Sequence, residues 1–271
     1  MLEKYLGEVL QRFPVENPRS TSTPLPLGCK LSKFDSLETA ADKEKMVVIP
    51  YRSAIGSLMY LAVYTRPDVA AAVSSLSRFI ANPGMAHWEG VQHVLRYLKG
   101  TSGEGICYKR EVSRALWGYC DAIHLTCPDT GRSRGGYVFL SAGGAISWQS
   151  KLNPNSSLFS CESEYIKLSS ATTEASFLRQ PQMQMVDKST VPYQVRVLVD
   201  NQPALDILHN PVYHCRSKQI LAKFHFVRDR VFMEKELVFD KISAGQMGAD
   251  MLTKHASVGV VRYNKKLIGM M

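Results

Sequence analysis

Four acidic residues of this chain could together hold a divalent cation: Asp121, Glu164, Asp200 and Asp250. Each is expected at the end of a strand or in the first turn of a helix, where side chains from distant segments can converge. Converging carboxylates repel one another unless a cation or shared protons neutralise them. The set is therefore a hypothesis about catalysis, because it would not stabilise the fold by itself.

The three aspartates also have ordinary structural explanations. Asp121 follows a strand in WGYCDA and could be a turn residue. Asp200 follows the most hydrophobic strand of the chain and could cap the helix that begins near Pro203. Asp250 opens a predicted helix and could cap it in the same way. Taken singly, each aspartate is better explained by capping or a turn than by metal binding.

Glu164 differs because helix geometry directs it toward the core. In a helix with 3.6 residues per turn it shares a face with apolar residues, namely Leu168, Ala171, Ala175 and Leu178. An unpaired carboxylate on that face is costly. Glu162 lies about 200° away around the helix, where it would complement the helix N-terminus with Ser160 as the cap. An inward-facing Glu164 beside aspartates at strand ends needs a cation.

The second part of the chain has the pattern of an α/β fold. Strands are predicted at 116–120, 137–140, 145–151, 195–199 and 237–242. Helices are predicted at 161–178, 203–208, 220–234 and, as the final helix, 246–254. Three strands in a meander, followed by alternating helices and strands, indicate a mixed five-stranded sheet with helices on its faces.

The first part of the chain is predicted to be mainly helical. A short helix over 1–13 is followed by an extended connection over 14–50 that lies across a core. Three amphipathic helices come next, near 55–62, 69–80 and 88–98. These helices carry no residues with evident chemistry.

Composition favours a folded protein with a polyanionic partner. The 271 residues are 45% hydrophobic, and the net charge of +9 makes nucleic acid the first candidate partner. No apolar run approaches the roughly 18 residues that span a bilayer, so no membrane partner is expected. The charged N-terminus does not resemble a secretory signal. Six scattered cysteines and seven histidines show neither zinc-ligand spacing nor a disulfide framework, which favours an intracellular protein.

Many short motifs in one order give the chain a family resemblance. The first part contains YRSAIGSLMYL, TRPDVAAAVSSLSRF, NPGMAHW and VLRYLKGTSG. The second part contains WGYCDA, GGYVFL, AISWQSK, ESEYIKLS, VDNQPALDILHNPVYHCRSK, FHFVRDRV and GADMLTK. Together they resemble the C-terminal part of the Pol polyprotein of copia-type retrotransposons. The resemblance implies a partial reverse-transcriptase segment over 1–110 and a ribonuclease H-like domain over 111–271.

The resemblance also implies a reaction and its residues. By position in the motifs, Asp121, Glu164, Asp200 and Asp250 correspond to the catalytic acids and metal ligands of the family. They would hold two Mg²⁺ ions about 3.5–4 Å apart, with Mn²⁺ as a substitute. The reaction implied is endonucleolytic cleavage of the RNA strand of an RNA–DNA hybrid, without a small-molecule cofactor. The 2′-hydroxyl would distinguish RNA from DNA, and the rest of the Pol polyprotein would be a partner where it is present.

Some residues depart from the family pattern. Ile123 and His124 stand where the family usually has Asp and Trp, and 159–161 and 219–221 also differ. No Asp-Asp pair occurs, so no polymerase centre is expected in this chain. Without the palm, the helices of the first part should expose apolar surface or be poorly ordered.

Two alternatives to an active nuclease follow from these departures. A catalytically decayed transposon remnant would at most bind nucleic acid, because the changed residues surround the presumed ligands. An integrase- or resolvase-like protein of related fold is less favoured, because such sites use three acids at a different spacing and the copia-type motifs are absent from them.

Overall fold

The computed structural model describes residues 2–17, 19–36, 44, 46–154, 160–185, 192–210 and 218–271. Of these, residues 2, 160, 161 and 218–221 are described by their backbone alone. Within the described residues, no helix combines the length and the hydropathy that crossing a membrane requires.

The second part of the chain forms one five-stranded sheet. Its strands are β1 (Trp117–Ile123), β2 (Arg134–Ser141), β3 (Gly144–Leu152), β4 (Val195–Val199) and β5 (Leu237–Lys241). They lie in the order β3-β2-β1-β4-β5. The first three strands pair antiparallel, whereas β4 is parallel to both β1 and β5. The predicted mixed sheet of a ribonuclease H-like α/β fold is therefore confirmed.

Helices precede, cover and follow this sheet. In the first part they are α1 (Leu2–Arg12), α2 (Tyr51–Tyr64), α3 (Ala70–Leu76) and α4 (Met85–Gly100). In the second part they are α5 (Ser160–Met185), α6 (Gln202–His209), α7 (Lys218–Arg228), α8 (Asp250–Thr253) and α9 (Val258–Leu267).

The two faces of the sheet bury different sets of side chains. Cys120 and Phe139 belong to a buried cluster with Tyr165 and Leu168 of α5, on the face that α5, α6 and α7 cover. Residues that alternate with them along the strands point to the opposite face. There Tyr119, Val138 and Leu140 pack with Met251 and Leu252 of α8.

The first part has a hydrophobic cluster of its own, formed by α1 to α4 and the connection between α1 and α2. It lies against the second face of the sheet, where α3 contacts β3 and α8. The indole Nε1 of Trp148 on β3 donates a hydrogen bond to the carbonyl oxygen of Ala62 at 2.7 Å. The predicted exposed apolar surface is present on α2, where side chains are 44–62% exposed at Met59, Tyr60, Val63 and Tyr64.

A buried ionic network connects α9 to the first part. Arg66 donates from Nε and Nη2 to the carboxylate of Asp68 at 2.9 and 2.8 Å, and the hydroxyl of Tyr97 donates to the same carboxylate at 2.7 Å. Lys265 of α9 lies 3.4 Å from the Tyr97 hydroxyl and pairs with Glu104. The C-terminal helix is thus held by charge as well as by apolar contact.

The prediction of a final helix over 246–254 is wrong. The chain forms a single turn at Ala244–Gln246, an extended residue at Met247 and only a short α8. Gly248 lies between them, at a position where a Cβ would lie 2.7 Å from the ring of Tyr119. The last helix is α9, which has little intrinsic helix propensity because of its valines and glycine. Burial of Val261 stabilises it instead.

Candidate metal centre

Asp121 and Asp200 lie side by side at one end of the sheet. β1 and β4 are parallel neighbours, and their last paired residues are Cys120 and Val199. The next residue of each strand is therefore an aspartate at the same end of the sheet. Asp121 is 4% exposed, whereas Asp200 is only half-buried.

Glu164 reaches the two aspartates from the second turn of α5. The helix turns it toward the sheet together with Leu168, Ala171 and Ala175, all of which are buried, as the 3.6-residue period predicts. Glu162 is half-buried and lies off this face. One oxygen from each of Asp121, Glu164 and Asp200 lies within 4.8 Å of the others.

Two neighbouring groups orient the Glu164 carboxylate. The side chain of Asn201 and the backbone N–H of Ala122 donate hydrogen bonds to it. Its second oxygen, Oε2, is buried and has no hydrogen-bond partner among the described residues. A buried carboxylate oxygen without a donor is costly, so Glu164 Oε2 is available as a ligand for a cation.

The pKa values of the carboxyl groups reflect this crowding. Burial raises the pKa of Glu164 to about 9, and the charges of Asp121 and Asp200 act in the same direction. Burial also raises the pKa of Asp121 to about 6, against the hydrogen bond that it accepts from Thr253. Without a cation, Glu164 therefore retains its proton near neutral pH.

Asp250 lies beside this group rather than within it. The set of three carboxylates within 4.8 Å does not include it. Instead it pairs with Lys254, whose Nζ lies 2.6 Å from Oδ1. Its charge nevertheless contributes to the raised pKa of Asp121, and burial raises its own pKa. The structure thus brings together three of the four predicted residues and places the fourth close by.

Two residues of the site were not predicted. Asn201 caps α6 by accepting a hydrogen bond from the backbone N–H of Ala204 at 3.0 Å, so Asp200 is not the cap. Thr253 donates its hydroxyl proton to the carboxylate of Asp121. The motif DNQP contains the signal for Asn201, since Asn is as good a cap as Asp. Thr253 has no comparable signal, because its contact depends on the packing of α8 against β2. The predicted cap Ser160 lies outside the described side chains.

Similar proteins identify the family. The chain is 42% identical over 270 residues to a retrovirus-related Pol polyprotein from transposon TNT 1-94 of Nicotiana tabacum, a match that covers 99% of this chain and 20% of the relative. It is 31% identical over 254 residues to the Pol polyprotein from transposon RE1 of Arabidopsis thaliana, covering 94% of this chain and 17% of the relative. The chain belongs to the Pol polyproteins of copia-type retrotransposons. It spans about a fifth of the length of these Pol relatives.

Other comparisons give a shorter match and a likeness of fold. A secreted RxLR effector protein 161 of Plasmopara viticola is 45% identical over 130 residues, covering 48% of this chain and 92% of the relative. No protein-family model matches the chain. Among solved structures, LC11-RNase H1 in complex with an RNA/DNA hybrid is 20% identical, with a TM-score of 0.37, and the match covers 51% of this chain and 92% of that one.

Proposed function

We propose that this Pol fragment is a ribonuclease H that cleaves the RNA strand of RNA–DNA hybrids endonucleolytically. The convergence of Asp121, Glu164 and Asp200 within 4.8 Å carries the proposal. The family and the ribonuclease H-like sheet support it, since the three residues fall on the family's acidic motifs. The net charge of +9 supports a nucleic-acid substrate.

The residues fit a divalent cation. Their donors are all carboxylate oxygens, which Mg²⁺ and Mn²⁺ prefer, and Glu164 Oε2 lacks any other partner among the described residues. Asp121, Glu164 and Asp200 would hold the metal, with Asp250 beside them. When bound, Mg²⁺ supplies Lewis-acid stabilisation of phosphate oxygens and lowers the pKa of water.

The surrounding residues fix the ligands in place. Thr253 holds the Asp121 carboxylate through its hydroxyl, and Asn201 uses its amide nitrogen on Glu164 while its oxygen caps α6. Lys254 pairs with Asp250 and offsets part of the negative charge. Such supporting contacts are worth about 10–100-fold in metal affinity or activity.

We infer that the chain divides at about residue 110. Residues 1–110 would be a partial reverse-transcriptase segment and 111–271 the ribonuclease H-like domain. Separate cores support this division. One cluster draws its buried residues from Leu6 to Leu98, and the other two draw theirs from Leu116 to Met270.

A catalytically decayed remnant that only binds nucleic acid is the second candidate. Ile123 and His124 favour it, because they stand two and three residues after Asp121, where the family usually has Asp and Trp. His124 lies 3.2 Å from the hydroxyl of Ser133. Both candidates would bind nucleic acid, but only the nuclease would cleave it.

A cleavage assay decides between them. A hybrid with a labelled RNA strand is incubated with Mg²⁺ or with a chelator, beside duplex DNA and single-stranded RNA of the same sequence. We expect RNA cleavage in the hybrid alone, and only with Mg²⁺. Salt-sensitive hybrid binding without cleavage would favour the remnant and reject the nuclease.

The replacement Gly136→Ala should test whether activity depends on the hydrogen bond from Thr253 to Asp121. A Cβ at this position would lie 2.6 Å from Leu252 Cβ and 3.2 Å from Thr253 Cγ2. The added methyl would displace α8 and draw the Thr253 hydroxyl away from Asp121. We expect hybrid cleavage to fall about 10-fold or more and stability to fall by about 1–3 kcal/mol. Gly103→Ala is the control, because a Cβ there meets no atom within 4 Å; equal activity of the two variants would contradict this role.

A further inference from the structure

Asp129 attaches the connection between β1 and β2, residues 124–133, to the first part of the chain. Its carboxylate accepts hydrogen bonds from the Ser32 hydroxyl at 2.7 Å, the Lys33 backbone N–H at 2.9 Å and the Arg78 guanidinium at 2.6 Å. Burial acts to raise the pKa of Asp129, but these hydrogen bonds and the charge of Arg78 hold it below its ordinary value. The Asp129 side chain is 4% exposed, so the solvent screens this ion pair little. The connection is therefore bonded to three groups of the first part.

Arg134, the first residue of β2, is a second attachment at the end of the same connection. It is 5% exposed, and its guanidinium donates hydrogen bonds to the hydroxyls of Ser74 at 2.8 Å and Ser75 at 3.1 Å, both on α3. A buried guanidinium needs such acceptors because it has lost its contact with water. The helix α3 is thus bonded directly to the start of β2.

The end of β1 depends on these attachments because it pairs with β2 alone. The ladder between β1 and β4 ends one residue before Asp121. Asp121 pairs with Gly136, and Ile123 pairs with Arg134 at the end of the β1–β2 ladder. The end of a ladder frays when no further contact holds it. The segment that carries Asp121 is therefore held in the sheet by a short stretch of β2 whose first residue is bonded to α3.

Gly136 shows how closely the start of β2 approaches the residues around Asp121. A Cβ at Gly136 would lie 3.2 Å from Thr253 Cγ2, and Thr253 donates its hydroxyl proton to the Asp121 carboxylate. A shift at the start of β2 would therefore displace both Thr253 and Asp121. Such a shift matters for metal binding because Mg²⁺ requires nearly ideal octahedral geometry, with ligands at about 2.0–2.1 Å.

We propose that Asp129 and Arg134 are positioning residues of the metal centre, through which the first part of the chain holds Asp121 in place for a divalent cation. Neither residue belongs to the group of convergent carboxylates; both act on the backbone of β1 and β2. The first part thus supports metal binding, in addition to its apolar packing on the sheet. This role rests on the proposed binding of a cation by Asp121, Glu164 and Asp200.

Metal affinity in the absence of nucleic acid tests this role. Isothermal titration calorimetry with Mn²⁺ compares the wild type with Asp129→Asn, which keeps the size of the side chain but removes its charge. We expect the dissociation constant to rise about 10-fold, a loss typical of residues that support metal ligands. Hydrogen exchange at the backbone N–H groups of residues 121–123 should accelerate in the same variant, because the end of β1 opens more often.

Variants of the first part test the same attachments from the other side. Ser74→Ala removes one acceptor of Arg134 and should weaken Mn²⁺ binding by less than Asp129→Asn, because two other hydroxyls remain. Arg78→Gln removes the ionic partner of Asp129. The double variant of Arg78→Gln and Asp129→Asn should therefore bind Mn²⁺ no more weakly than the weaker of the two single variants. If Asp129→Asn does not fold, Ser74→Ala and Arg78→Gln carry the comparison.

Glu236→Gln is the matched control. Glu236 also forms a partly buried ion pair, with Arg179 at 3.1 Å. It precedes β5 at the opposite end of the sheet, since β4 and β5 are parallel and Asp200 follows the last residue of β4. This variant should lower the melting temperature and leave the affinity for Mn²⁺ unchanged.

Unchanged affinity for Mn²⁺ in folded Asp129→Asn and Ser74→Ala would overturn the proposal, as would an equal loss of affinity in Glu236→Gln. Cleavage of a hybrid with Mg²⁺, measured in parallel, separates this result from the nuclease. Weaker metal binding in the variants, without cleavage by any of the proteins, would reject the nuclease and retain the positioning role. Cleavage by the wild type, with one metal affinity in all folded proteins, would retain the nuclease and reject the positioning role.

Discussion

Asp121→Asn should lower Mg²⁺-dependent cleavage of an RNA–DNA hybrid by about 10²–10³-fold, the loss typical for one preorganised electrostatic group. The amide keeps the size of the side chain and can still accept the hydrogen bond from Thr253. It removes the negative charge that a cation requires. Single-turnover cleavage rates with saturating Mg²⁺ measure the effect.

The same substitution should not unfold the protein. Burial raises the pKa of Asp121 to about 6, so at pH 7 and above the ionised Asp121 carboxylate lowers the stability of the metal-free fold. Asparagine avoids that cost, and we expect an equal or higher melting temperature in chelator. A lower melting temperature together with lost activity would indicate structural damage instead of a lost ligand.

Two further variants test whether the loss of cleavage is specific to the three convergent carboxylates. Glu162→Gln changes the same functional group on the same helix, two residues from Glu164 and off the inward face, and should retain wild-type cleavage. Asp250→Asn should lose activity, but less than Asp121→Asn, because Asp250 lies outside the three carboxylates within 4.8 Å. Equal losses of cleavage for Glu162→Gln and Asp121→Asn would show that the three convergent carboxylates are not the catalytic residues.

The orientation of Glu164 could be predicted because a helix has a fixed period. Any residue in register with Leu168, Ala171 and Ala175 must face the core, and an acid there is an exception that demands a partner. The strands were predictable for a similar reason, since their apolar segments are short and bounded by turns. The neighbouring positions of Asp121 and Asp200 then followed from the parallel pairing of β1 and β4.

The position of Asp250 and the contacts of Arg134 could not be predicted from sequence. The first depends on how α8 packs, and a Gly248 that accommodates the ring of Tyr119 lies in that region. Its local sequence favours one longer helix, so tertiary packing overrides the local pattern. Arg134 is separated by about 60 residues from Ser74 and Ser75, and no local pattern links such distant positions.

The pH dependence of the unfolding free energy should reveal that ionisation of the buried Glu164 is unfavourable. Burial, together with the charges of Asp121 and Asp200, raises the pKa of Glu164 to about 9 from its usual value of 4.5. The folded state therefore binds a proton that the unfolded state releases above pH 4.5. The stabilisation is complete below that pH and is lost as pH rises toward 9, by up to about 1.4 kcal/mol for each pH unit.

Glu164→Gln should remove this dependence. Its side chain is neutral at every pH, so metal-free Glu164→Gln should become more stable than the wild type as pH rises from 5 to 8. Asp121, with its pKa near 6, contributes a slope of the same sign in both proteins. His255 has a pKa lowered to about 4 and destabilises both proteins as pH falls below about 6.5. The difference between the two unfolding free energies therefore isolates Glu164.

Added Mg²⁺ should make the wild type more stable than Glu164→Gln, the reverse of their order without metal. A cation that binds the ionised carboxylates stabilises the folded wild type in proportion to its affinity, whereas Glu164→Gln has lost one of its charged ligands. Urea unfolding at pH 5, 6, 7 and 8, in chelator and in Mg²⁺, measures both effects. Parallel pH curves for the two metal-free proteins would show that Glu164 ionises without penalty. That result would remove the physical reason for a cation between Glu164 and the two aspartates.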